Sequence, residues 1–191
     1  AALEKDNWNA IDFDDSDWEQ VKVYHPALKV SSDRTEPNRL IQEITPLSIQ
    51  EITPGVYRVD MGVNYAGWFE MQLKGQPGDS IVFQFSEREK DVCSYGIHSI
   101  YKVGPKRKGT FCNRFNYMTG RWVQISGLRY KPTIDQIRGW MIRPDYRRSG
   151  GFECDIPLLN NIYRTTLWTL ENLSLGNYVV DCPHRERCGY G

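Results

Sequence analysis

From Val56 onward, apolar and polar residues alternate in short runs. In the first run Tyr57, Val59 and Met61 alternate with Arg58 and Asp60; in a second, Phe69, Met71 and Leu73 alternate with Glu70, Gln72 and Lys74. A period of two places each set on one face of an extended strand, so both runs predict a dry face and a wet one. The segment Gly75-Gln76-Pro77-Gly78-Asp79 supplies turn chemistry, and after it Ile81, Phe83 and Phe85 again share a face. That phase puts Phe83 and Phe85 inside and leaves Gln84 wetter. Further strands are predicted over residues 121–127 and 137–143. Short strands without helical periods between them predict a mainly β fold. The expected architecture is an antiparallel, jelly-roll-like β-sandwich over residues 44–147, in preference to a parallel α/β sheet.

The flanks read differently. Residues 1–43 begin with an aromatic, acidic segment from Trp8 to Trp18 and continue as a polar stretch punctuated by proline. This reads as the tail of a preceding β module followed by a linker. Past residue 147 the period changes: Leu159, Tyr163, Leu167, Leu170 and Leu173 recur every three or four positions. That spacing predicts an amphipathic helix between Asp155 and Gly176, with Asp155 as N-cap, Pro157 in the first turn and Gly176 as the stop. One helix of this length is not a domain, so its apolar face is expected to need partners from outside these residues.

Composition narrows the partners. Lys plus Arg equals Asp plus Glu at 24 each, which gives no net field to draw the chain onto nucleic acid or an anionic membrane. No run approaches the ~18 apolar residues of a membrane-spanning helix, and the first residues lack the basic end and apolar core of a signal peptide. Five cysteines, an odd number widely spaced, argue against a disulfide framework and lean toward a reducing, cytoplasmic compartment without excluding another. Aromatic residues make up 13% of the chain, with six Trp and eleven Tyr. Trp68, Trp122 and Trp140 are candidates to stack on a sugar, but tryptophans beside alternating apolar residues more often pack in a core. His25 and His98 read as surface residues, the basic stretch from Lys106 to Lys108 as a hairpin end, and the glycine-containing segment 61–67 as a turn.

The densest polar cluster is the run from Asp181 to Gly191, Asp-Cys-Pro-His-Arg-Glu-Arg-Cys-Gly-Tyr-Gly. Two carboxylates, Asp181 and Glu186, are interleaved with Arg185 and Arg187. One carboxylate held ionised by an arginine beside another with a raised pKa is an acid-bearing site for a neutral polar ligand. A charged loop paired internally for solubility is the commoner outcome of such spacing. Cys182, His184 and Cys188 are ligand types for zinc, but their spacing fits no closed zinc pattern and a fourth ligand is not evident, so no metal and no other cofactor is expected.

This run closely resembles the acidic motif at the entrance of the (α/α)6 barrel in glycoside hydrolase family 78, the bacterial α-L-rhamnosidases. The resemblance extends upstream: residues 56–87, with Asp60, Gly62, Asn64, Gly67 and Glu87, are similar to that family's sandwich signature, and residues 115–128 to its closing strand pair. Residues 88–110 depart from the pattern. The resemblance implies that residues 148–191 begin the helical catalytic domain and that the substrate is a rhamnose-containing glycoside or polysaccharide. It further implies that Glu186 is the general acid of an inverting hydrolase, while Asp181 and Arg185 line the rhamnose subsite. An inverting enzyme needs a second carboxylate roughly 6.5–9.5 Å from the acid; the resemblance puts that base far downstream, so these residues alone, without the remainder of the catalytic domain, are expected to catalyse nothing. The competing reading is a non-catalytic sandwich that binds carbohydrate or serves as a spacer.

Overall fold

The computed structural model of the chain describes residues 5–90 and 96–177 together with Val179. Among these, eight strands precede one α-helix: β1 (Asn38–Ile44), β2 (Ser48–Thr53), β3 (Val56–Lys74), β4 (Ser80–Ser86), β5 (Ser99–Lys102), β6 (Lys108–Cys112), β7 (Met118–Ser126), β8 (Ile137–Pro144) and α1 (Pro157–Leu173). A 3-10 turn, Leu175–Asn177, follows the helix.

Every strand pairing is antiparallel, and the two layers share β3. Its first part lies between β2 and β7, with β4 and β5 continuing beyond β7. Its last part lies between β8 and β6, with β1 outside β8. The layers close on the faces that the alternation predicts. Phe69 of β3 meets Phe83 and Phe85 of β4 at ring-centroid separations of 5.8 and 5.7 Å, and Phe83 stacks on Phe111 of β6 at 4.1 Å. Tyr57, Val59, Met61, Met71, Leu73, Ile81, Val123 and Ile125 are buried with them, while Gln84 is only half-buried.

The predicted pair of runs flanking residues 61–67 is one strand of 19 residues. What the sequence suggested as a turn is a bulge: β3 and β7 pair up to Asp60 with Trp122 and resume at Tyr65 with Gly120. The inward-facing Met61 and Tyr65 are four positions apart, an even offset, so both parts keep their odd-numbered side chains in the core. Gly62 adopts φ +78°, a conformation that favours glycine, and its N–H donates to the Asp60 carboxylate at 2.7 Å. Gly67 is needed for a different reason, because a Cβ there would overlap the carbonyl oxygen of Trp140.

Other expectations are corrected. Residues Asn38–Glu43, read as linker, pair with β8 as part of edge strand β1; their side chains are exposed, so no alternation marks them. The tryptophans are not core residues: Trp68, Trp122 and Trp140 are half-buried, each on the strand face opposite the apolar set. Trp68 and Trp140 are register partners, and the Arg121 guanidinium lies 5.1 Å from the ring centre of Trp122. The helix begins at Pro157 with Ile156, not Asp155, at the N-cap position, and no side chain caps it there. Instead the Asn160 carboxamide accepts from the Cys154 N–H and donates to the Cys154 carbonyl, at 2.9 and 2.7 Å. Gly176 does end the helical region, with φ +66°. His25 and His98 are exposed, residues 106–108 sit in or beside the β5–β6 connection, and Cys112 and Cys154 are free thiols.

Gly67→Ala is expected to lower the unfolding free energy by about 3 kcal/mol or more, since two backbones must separate to admit the methyl group. Gly150→Ala, which meets open space, serves as the control and should stay within about 0.5 kcal/mol. Urea denaturation of both variants measures the difference.

Candidate functional site

Asp181, Arg185 and Glu186 lie outside the described residues, as do Cys182, His184, Arg187 and Cys188. The structure describes what precedes that run in sequence: α1, the turn after it, and the contacts that hold both to the sandwich. The turn is tied to β1, where the Gly176 N–H donates to Oδ1 of Asn38 at 3.1 Å.

The helix meets the sandwich through polar residues and through Trp168, which packs against the edge of the core. Its period predicts that Leu159, Leu167 and Leu170 seek cover, yet among the described residues the buried members of α1 are Glu171 and Asn172. Leu158 and Ile162 are 65% and 52% exposed, and Leu159 and Leu170 are also exposed. Residues 61–66 of β3 explain the inversion. On one edge of β3 the pairing with β2 ends at Asp60, and that with β8 begins at Gly67. Backbone groups in the gap need partners, and α1 supplies them. The Trp168 indole N–H donates to the Asn64 carbonyl at 2.8 Å, and the Ala66 N–H donates to Oδ1 of Asn172 at 2.6 Å. The Asn172 amide in turn donates to the Trp168 carbonyl at 2.8 Å.

Glu171, only 2% exposed, faces two arginines. Arg148 donates to both of its carboxylate oxygens at 2.7 Å, and Nε of Arg143 lies 3.4 Å from Oε1, an ion pair out of line for a hydrogen bond. Arg143 is further held by the carbonyls of Pro144 and Tyr146 and by the Tyr146 ring, 4.5 Å from its guanidinium carbon. The hydrogen-bonded Glu171 raises the pKa of Arg148. A buried carboxylate is tolerated only with its charge compensated, and here the compensation joins α1 to the end of β8 and to the segment that connects them.

Outside this cluster opens a cleft of ≈ 560 Å³, lined by Tyr146, Arg148, Tyr163, Leu167 and Leu170 among others. Its described lining contains no Asp or Glu, and both Glu171 oxygens are taken by Arg148. The described lining of this cleft therefore carries no acid and base pair. Among the described residues no group of three His, Cys, Asp or Glu residues is placed to hold a metal ion, and no helix is long and apolar enough to cross a membrane.

A second charged cluster marks the bulge. Arg121 of β7 binds Asp60 through two hydrogen bonds of 2.7 and 2.8 Å. The arginine and, after it, the Gly62 N–H hold the Asp60 carboxyl below the usual carboxylate range against the opposing effect of burial. Asn64 Nδ2 reaches Oε1 of Glu87 at 3.5 Å. Asp60, Gly62, Asn64 and Gly67, picked out as a signature, thus build the bulge and the seat of the helix. The sequence reading missed Trp168, Glu171 and Asn172. The available signal was the break in the apolar period of α1 at two consecutive polar positions.

Comparison with known proteins places these elements. The family model described as the bacterial alpha-L-rhamnosidase concanavalin-like domain matches residues 50–143, and that described as the bacterial alpha-L-rhamnosidase 6 hairpin glycosidase domain matches residues 147–191. An alpha-L-rhamnosidase of Formosa agariphila is 28% identical over 204 residues, an alignment that takes in 100% of this chain and 21% of that protein. The structure of the alpha-L-rhamnosidase from Dictyoglumus thermophilum is 28% identical and superposes with a TM-score of 0.86, over 98% of this chain and 22% of that one. The Streptomyces avermitilis alpha-L-rhamnosidase, solved complexed with L-rhamnose, shares the fold with a TM-score of 0.73 at 23% identity, over 82% of this chain and 16% of its own. The chain thus spans about a fifth of the length of the relatives it matches.

Two outcomes are expected from this geometry. Glu171→Ala leaves Arg143, whose side chain is 10% exposed, buried without its counter-charge, and should destabilise the fold by about 3–5 kcal/mol; Arg148→Ala strips both hydrogen bonds from the buried Glu171 carboxylate, which keeps the ion pair to Arg143, and should cost about 2–3 kcal/mol. Thermal and urea unfolding measure both. Because the folded pKa of Asp60 is depressed, its contribution to stability is complete above the unfolded value near pH 4 and is lost as pH falls through the folded value. Asp60→Asn should therefore flatten the acid limb of the stability profile below about pH 4.

Proposed function

The chain belongs to the bacterial α-L-rhamnosidase family, and from that premise we propose that it is part of a longer inverting glycoside hydrolase that releases terminal α-L-rhamnose from a rhamnoside. Residues 44–147 are the sandwich, residues 148–191 begin the catalytic helical domain, and residues 1–43 are the tail of a preceding module and its linker. The observation that carries the reading is the run from Asp181 to Gly191, which resembles the family's acidic motif and falls within the segment matched by the glycosidase-domain model.

In this mechanism Glu186 donates a proton to the glycosidic oxygen as the bond from the anomeric carbon to that oxygen breaks. A water enters from the opposite face of the sugar and gives its proton to a second carboxylate, so the configuration inverts. Asp181 and Arg185 bind the rhamnose hydroxyls, one as an ionised acceptor and the other as a donor. The base comes from outside residues 1–191, and these residues by themselves bind substrate weakly and do not turn it over.

In the full-length protein, Glu186→Gln preserves shape and removes the proton. With an aryl rhamnoside whose leaving group is poor, kcat should fall by about two to four orders of magnitude, the usual range of general acid catalysis, and much less with an activated leaving group. Asp181→Asn should weaken binding of both substrates alike. Steady-state kinetics on the two substrates decide the assignment: a Glu186→Gln enzyme within a few-fold of wild type on the poor leaving group means that the acid is another residue.

A further inference from the structure

The outer face of the layer formed by β6, β3 and β8 carries a strip of side chains with no part in the proposed hydrolysis. Along β3 on that face stand Lys74, Gln72, Glu70 and Trp68, and their register partners are Lys108, Thr110 and Cys112 of β6 and Arg138 and Trp140 of β8. At one end of the strip a cleft of ≈ 440 Å³ is lined by Gln72, Lys74, Lys106, Lys108, Thr110 and Gln136 among others. Lys74 and Lys108 are directly opposite each other, an arrangement in which like charges repel across about 5 Å between Cβ atoms. Lys74 lies 4.7 Å from the centre of the Tyr130 ring, and neither lysine is paired with an acid among the described residues. Lys106 holds the Asp6 carboxylate at 2.6 and 2.5 Å. One carboxylate is thus seated at the cleft already, while two of its cations have no counter-charge among the described residues.

Away from the cleft the strip loses its positive surplus and ends in aromatic rings. Arg138 stands opposite Glu70, and its Nε lies 3.6 Å from Oε1 of Glu43, so the middle has no excess of cations. Trp68 and Trp140, register partners and both half-buried, lie six residues of strand from Lys74, about 20 Å. Apart from these indoles and Cys112 the strip has no apolar side chain, so it lacks the core that a protein partner needs. Its cations are confined to one end, which does not suit nucleic acid. We propose that the strip binds an acidic polysaccharide laid along β3. An anionic group of that chain sits among Lys74, Lys106 and Lys108, hydroxyls bond to the carboxamides of Gln72 and Gln136, and a sugar ring packs against Trp68 and Trp140. The anion replaces Asp6 at Lys106, a pair whose side chains are 77% and 68% exposed and which is correspondingly weak. The carbohydrate class rests on the family reading above, and the acidic end on the cleft alone.

The test is affinity electrophoresis of the full-length protein in native gels that contain polygalacturonate, with dextran as the neutral polymer and dextran sulfate to distinguish a carboxylate from a sulfate as the acidic group. None of these polymers contains rhamnose, so retention does not pass through the glycosidase site, and each variant should hydrolyse an aryl rhamnoside as the wild type does. At least one acidic polymer should retain the protein, and dextran should not. Lys74→Gln combined with Lys108→Gln should weaken retention about 5- to 20-fold, and Trp140→Ala about 5- to 10-fold. Unspecific attraction to a polyanion depends on the lysines but not on Trp140, and holds a single-stranded oligonucleotide equally well. Retention that is indifferent to Trp140→Ala, or matched by the oligonucleotide or by dextran, overturns the proposal, as does no retention by either acidic polymer. Where Trp140→Ala does not fold, Gln72→Ala, at an exposed position, decides with an expected loss of about 2- to 5-fold. If this pattern holds while Glu186→Gln keeps its activity, only the acid assignment falls; if Glu186→Gln behaves as expected and the pattern is absent, only the strip does.

Discussion

A strand that serves two layers must change neighbours, and at the change its backbone is left without partners along one edge. β3 faces this between Asp60, where its pairing with β2 ends, and Gly67, where its pairing with β8 begins. Ala66 in this gap is buried, and its N–H cannot stay unpaired without a cost comparable to a lost hydrogen bond, whereas Asn64 is exposed. The Asp60 carboxylate takes the Gly62 N–H, and α1 takes the Asn64 carbonyl and the Ala66 N–H. The packing of the helix on the sandwich follows from that requirement. It also explains why α1 turns Trp168 and Asn172 inward while leaving much of its leucine face outside.

The charges around the gap reinforce the same arrangement. Asp60 joins β3 to β7 through Arg121, and Glu171 joins α1 to β8 and to the connecting segment through Arg143 and Arg148. Buried ion pairs of this kind add little net stability over apolar packing, but they are intolerant of misplacement. The exposed apolar residues of α1 have the opposite character: they offer area without direction.

Most of the sandwich was legible in the sequence, because a buried face imposes a period of two that the apolar residues of β3, β4, β7 and β8 display. The same alternation places Trp68, Trp122 and Trp140 on the outer faces; weighing them by residue type instead of by phase put them in the core. β1 left no pattern, since an edge strand with exposed side chains on both faces has no apolar set to reveal it. The helix was legible in its spacing, though not its cap: Asn160, within the first turn, binds Cys154 where Asp155 was expected to act.

The sequence by itself determined the strand phase, the existence of the helix, and the acidic run whose likeness to a known motif led to the family. Those are local properties, written in neighbouring residues and in the chemistry of short segments. Only the tertiary structure decided that residues 61–67 are a bulge within one strand, that Trp168 and Asn172 complete its backbone bonding, and that Glu171 is a buried counter-charge to Arg143. Each of these depends on groups distant in the chain, and which of them meet is fixed by where the sheets leave backbone unpaired, a quantity that exists only once the strands have come together.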